Sequence, residues 1–193
     1  MRRISTLEQQ IRDYVNNAKL YERYFENQLD EWEILCVSMD TLGDTCLSLE
    51  YYETSGIGNV YGEKYLKLYG LLQAIFLQQD SIRQIYRVFL ESKLEYCSDS
   101  AWIKIRDLRN LTVGHPIEKK LIKKKHETET KRCFISRVTI HSDGFQLIVW
   151  NVEKGKKEFE EVNLKSLYEK YKAEAIENLK SICQAQIIKW GAL

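Results

Sequence analysis

From about Gly62 to Leu94, apolar residues recur every three or four positions almost without a break. Tyr65, Leu68, Tyr69, Leu72, Ile75, Phe76, Ile82, Tyr86, Phe89 and Leu90 fall on one side of a 3.6-residue period. At 1.5 Å per residue such a helix spans on the order of 45 Å, long enough to be the spine of a bundle. Polar Gln79 and Asp80 interrupt the stripe. They read as a solvated edge, with a groove-lining carboxylate as the sharper alternative. A single proline among 193 residues suits long, unbroken helices.

The segments around this spine follow the same logic. Residues 5–28 read as a first helix. Residues 29–52 carry Trp32, Leu35, Met39, Leu42, Cys46 and Leu49 at helical spacing, with a bend possible at Gly43. Thr54-Ser55-Gly56-Ile57-Gly58-Asn59 is turn chemistry. Gly56-x-Gly58 lacks the preceding strand that a phosphate-binding loop requires. Ser98-Asp99-Ser100 supplies caps for a helix over about 100–112, which Gly114-His115-Pro116 ends.

Beyond that point the pattern changes. Residues 117–132 form a basic, polar stretch read as a loop. Ser142-Asp143-Gly144 lies between apolar, β-branched runs at 133–140 and 145–151, a hairpin signal, and a third strand is expected over 156–162. Asn163 can cap a last helix over about 164–190, with Leu164, Leu167, Tyr171, Ala175, Leu179, Ile182 and Trp190 inward. The fold class expected is mainly α, an up-and-down bundle in one domain (1–193). Its helical core covers 1–116, and a small antiparallel β-meander (133–162) precedes the C-terminal helix (163–193).

Charge excludes little, because 29 Lys+Arg nearly cancel 28 Asp+Glu, so only local charge can report a polyanionic partner. No apolar run reaches the roughly 18 residues of a membrane span, and the charged, periodic N-terminal segment has no apolar signal core. The chain reads as cytoplasmic. Its five cysteines are odd in number and scattered, which suggests neither a disulfide framework nor a zinc knuckle. His115, His126 and His141 lack ligand spacing, and neither metal nor cofactor is expected.

The segment that carries chemistry is Arg106-Asp107-Leu108-Arg109-Asn110-Leu111-Thr112-Val113-Gly114-His115-Pro116. Arg109 lies seven residues after Trp102 and four after Ile105, so it shares the apolar face of its helix. A permanent charge there is costly unless an anion or a dimer partner meets it. Arg109 has a structural alternative: an ion pair with Asp80, or with Asp107 of a neighbour. His115 has one as a helix C-terminal group interacting with the dipole.

Arg109-Asn110 followed by His115, with five residues between arginine and histidine at the end of a late helix, resembles the HEPN superfamily motif. The stretch Tyr69-Gly70-Leu71-Leu72-Gln73-Ala74-Ile75-Phe76-Leu77-Gln78-Gln79-Asp80 also resembles the long helix that precedes it in some members, so the likeness covers roughly residues 30–116. The resemblance implies a homodimeric, metal-independent endoribonuclease acting in toxin–antitoxin or phage-defence biology. A nucleotidyltransferase-like antitoxin is its expected partner. Carried over, Arg109 holds the scissile phosphate, His115 moves protons for 2′-hydroxyl attack, and Asn110 orients one or the other. The chemistry is coherent: a guanidinium fork matches two phosphate oxygens, and an imidazole, ordinarily titrating at about 6.5, can take and give protons. Asp80, Arg106, Lys119, Lys120 and Lys123 are candidate substrate-binding residues. Two rivals stand beside this reading. One is a non-catalytic HEPN-like dimer module that binds a protein or nucleotide. The other is a protein-binding scaffold whose interface is the basic loop and meander.

Overall fold

The structure is a computed structural model describing residues 1–122 and 128–191. It is mainly helical, with a small antiparallel sheet before the C-terminal helix. The helices are α1 (Arg2–Asn17), α2 (Leu29–Ser55), α3 (Tyr61–Leu90), α4 (Ala101–Arg109) and α5 (Leu164–Trp190). The strands are β1 (Lys119–Ile122), β2 (Thr128–Ile135), β3 (Phe145–Asn151) and β4 (Lys156–Val162).

α2 and α3 form a long hairpin, and α5 packs against α1, α3 and α4. The stripes read from the sequence meet at their centre, where Leu35, Leu42, Leu49, Leu68, Leu72, Ile75, Ile82, Tyr171, Leu179 and Ile182 are buried. α2 runs through Gly43 unbroken. Ser100 and Asn163 cap their helices as expected, accepting from the N–H groups of Ile103 (3.2 Å) and Ser166 (2.9 Å). α3 stops at Leu90 rather than Leu94 because Glu91 turns left-handed and its N–H closes on the Arg87 carbonyl.

The first expected helix, 5–28, is two pieces. α1 ends at Asn17, Lys19 takes a positive φ of 50°, and a short π-helical turn follows at Tyr21–Phe25. Consecutive Asn16 and Asn17, weak helix formers, mark the break.

The sheet also departs from the sequence reading. It has four strands in the order β1-β2-β3-β4, and part of the expected basic loop is strand β1, with Lys119 opposite Lys131 and Lys120 opposite Thr130. An edge strand pairs on one side only and tolerates lysine, which is why charge concealed it. β2 ends at Ile135, and a 3-10 turn at Arg137–Thr139 occupies positions read as strand. Gly144 is required at its corner: a Cβ there would fall 1.8 Å from the Val162 carbonyl oxygen.

One sheet face packs inward through Cys133, Ile135, Phe145, Leu147 and Val149. Tyr65 and Lys64 of α3 tie the sheet to the bundle, donating to the carbonyls of Ile135 (3.2 Å) and Ile140 (2.9 Å). Among the described residues no helix is long and apolar enough to cross a membrane. Cys46 and Cys133 are buried, and desolvation pushes the Cys46 thiol up to about 12. Cys97 is exposed.

Candidate functional site

α4 is held on three levels. At its N-terminus the Glu174 carboxylate of α5 accepts from the N–H groups of Ala101 (3.0 Å) and Trp102 (2.7 Å), supplying negative charge to the positive end of the helix. In its first turn, Gln79 of α3 donates to the Trp102 carbonyl at 2.8 Å. Gln79 is fully buried, so the solvated-edge reading fails for it. A buried amide beside a helix carbonyl is satisfied only by such a bond.

The third level is the motif itself. Arg109 reaches α3, where Gln73 Oε1 accepts from its Nε (3.0 Å) and Nη2 (2.8 Å). Its Nη1 donates to Asn110 Oδ1 at 3.1 Å. Three of the five guanidinium N–H groups are spent this way, leaving one on Nη1 and one on Nη2. The guanidinium carbon lies 4.1 Å from the centroid of Phe76, and so does that of Arg106. A cation over an aromatic face gains electrostatically and is fixed in plane.

The two arginines differ in one decisive respect. Arg106 pairs with Asp80 at 2.9 Å, so this carboxylate serves Arg106 and not Arg109. Arg109 makes no ion pair among the described residues, and both its partners are neutral amide oxygens. Its charge is positioned but not neutralised.

After Arg109 the helix widens into a π turn, Asn110–Gly114, in which the His115 N–H donates to the Asn110 carbonyl at 2.8 Å. Asn110 therefore holds the arginine with its side chain and the histidine backbone with its carbonyl. The turn brings Gly114 against Arg109, where a Cβ would fall 2.8 Å from Nη1. The His115 side chain is exposed and makes no hydrogen bond or ion pair among the described residues.

The remaining candidates scatter. Asp80 and Arg106 lie beside the motif, locked to each other. Lys119 is on β1, and Lys120 is exposed on the same strand with its Nζ 3.4 Å from Glu118. Lys123 lies outside the described residues. Among the described residues no group of three His, Cys, Asp or Glu is placed to hold a metal ion.

Sequence reasoning missed Gln73, Phe76 as a cation platform, and Glu174. Gln73 stands 36 residues before Arg109 and has no local signal. Along the sequence Phe76 is simply one member of the apolar stripe. Comparison with protein-family models, with curated proteins and with solved structures found no match to this chain.

Proposed function

We propose that this protein is a metal-independent endoribonuclease of the HEPN type, working as a homodimer. The observation that carries this reading is the unneutralised Arg109. Amide oxygens and an aromatic ring hold its guanidinium, one N–H remains on each terminal nitrogen, and an unpartnered, exposed histidine follows one π turn later. A structural arginine on an inward face finds a carboxylate, as Arg106 does.

In the reaction, Arg109 binds the non-bridging phosphate oxygens and stabilises the charge that builds on them. His115 accepts the 2′-hydroxyl proton as O2′ bonds to phosphorus; protonation of O5′ accompanies rupture of the P–O5′ bond. Two copies of His115 in a dimer can divide these duties. The products are a 2′,3′-cyclic phosphate and a 5′-hydroxyl.

A groove of about 800 Å³ between α2 and α3 supports the dimer. Thr45, Leu49, Tyr51, Leu71, Gln73 and Leu77 are among its lining residues, and Leu47 and Leu66 stand exposed on the same two helices. Gln73 belongs both to this groove and to the Arg109 contact, so a second copy seated there borders the motif. The toxin–antitoxin or phage-defence setting, and a nucleotidyltransferase-like antitoxin, enter through the resemblance.

The test is cleavage of labelled RNA in excess EDTA. Wild-type protein is expected to cut and to leave cyclic phosphate ends, sediment as a dimer under the same conditions, and lose cleavage on His115→Ala with its circular dichroism unchanged. Cleavage that survives His115→Ala, or that needs a divalent ion, refutes the reading. A second substitution probes the geometry. Gly114→Ala is expected to hold the melting temperature within about 5 °C while lowering cleavage about tenfold, since its methyl group displaces Nη1. Unchanged cleavage in this variant would mean that the position of the guanidinium is immaterial.

A further inference from the structure

The sheet has two faces, and the bundle covers one. Alternation along each strand turns the residues between the buried ones to the opposite face. There the register sets Phe134 of β2 opposite Ile148 of β3, and Ile148 opposite Phe159 of β4. The adjacent row is Arg132, Trp150 and Lys157. Phe134 is 55% and Phe159 63% exposed, and Ile148 and Trp150 are half-buried between their neighbours.

Arg132 and Lys157 are exposed, and neither makes an ion pair among the described residues. Thr130 of β2 and its partner Lys120 of β1 continue the same face. Lys120 is paired with Glu118, and Glu161 stands beyond the aromatic row on the other side and accepts from Gln146 at 2.7 Å. Two open phenylalanines are thus bordered by a cation–tryptophan–cation row.

This pattern selects a ligand with flat apolar rings joined by regularly placed negative charge. Single-stranded RNA has both: bases stack on aromatic side chains, and phosphates meet the cations. A duplex hides its base faces. An apolar protein surface would bury Arg132 and Lys157 without counter-charge. The position is also apt, because the Pro116 carbonyl, directly after His115, accepts from the Cys133 N–H of β2 at 2.7 Å.

We propose that the outer face of the sheet binds single-stranded RNA, stacking bases on Phe134 and Phe159 and holding phosphates with Arg132 and Lys157. This deepens the ribonuclease reading by naming where the substrate strand lies, but it rests on the sheet and is tested apart from cleavage. The probe is a fluorescein-labelled 12-nucleotide 2′-O-methyl oligouridylate, which lacks the attacking hydroxyl, followed by anisotropy with the full chain.

Phe134→Ala and Phe159→Ala are each expected to weaken binding about tenfold. Arg132→Ala and Lys157→Ala should each flatten the dependence of log K on log salt by about 0.7. His115→Ala should leave binding within about twofold, whatever it does to cleavage. Both phenylalanines are exposed, and thermal melting checks that their variants stay folded. Equal binding by wild type and by the Phe134→Ala, Phe159→Ala double variant overturns the proposal, as does a duplex binding as tightly as the single strand. Absence of binding by wild type at low salt also overturns it and leaves the face to a protein partner. Cleavage that fails while stacking persists removes the nuclease reading alone.

Discussion

Arg109→Lys is expected to lower RNA cleavage at least a hundredfold, although it keeps the charge. In the proposed reaction Arg109 does two things at once. Nε, Nη1 and Nη2 fix the plane by donating to Gln73 and Asn110, and one N–H is left on each terminal nitrogen, which the proposed reaction gives to the phosphate. A lysine ammonium is one point charge with three donors and no plane. If it satisfies the two amides it has little left for the phosphate; if it turns to the phosphate, the amides lose their partners. Removing one pre-placed donor from a developing oxyanion commonly costs a factor of about 10² to 10³. Arg109→Ala should be as inactive as His115→Ala. Single-turnover cleavage at saturating RNA measures the effect on the chemical step. A lysine variant within tenfold of wild type would show that charge near the scissile phosphate suffices, and the role assigned to Gln73 and Asn110 would fall.

The largest effect on stability is expected at Trp102→Ala, about 3–5 kcal/mol. The indole is 1% exposed, lies nearly parallel to Tyr96 with centroids 4.7 Å apart, and meets Tyr171 at 5.5 Å. Its backbone joins the other two layers that hold α4, through the Gln79 and Glu174 bonds. Emptying this position leaves a large cavity between α4 and α5. It also loosens the N-terminal anchor of the helix whose other end carries Arg109. Urea unfolding measures the loss, and a change below about 1.5 kcal/mol would mean that α4 seats itself without the aromatic stack. Cleavage should fall in parallel with the folded fraction. That separates this variant from Arg109→Lys, where the fold stays and the chemistry goes.

Much of this architecture is legible along the chain. The 62–94 stripe becomes α3 with its apolar face in the core, and the caps at Ser100 and Asn163 form the bonds their residue types imply. The failures share a cause. Lys119–Ile122 reads as loop because its strand identity comes from pairing with β2 rather than from a local preference. Gln79 reads as a solvated edge because its partner, the Trp102 carbonyl, is 23 residues away.

The motif divides in the same way. Residue type and spacing by themselves place Arg109 on the apolar side of a short helix and His115 just past its end, and they leave the arginine a choice of anions. Only the tertiary structure decides that choice: Asp80 goes to Arg106, neutral Gln73 and Asn110 take Arg109, and a π turn rather than an α turn carries the chain to His115. The physical reason is range. Helical periodicity, caps and turns follow from interactions a few residues apart. Whether a buried charge meets a carboxylate or an amide depends on which helix packs against it.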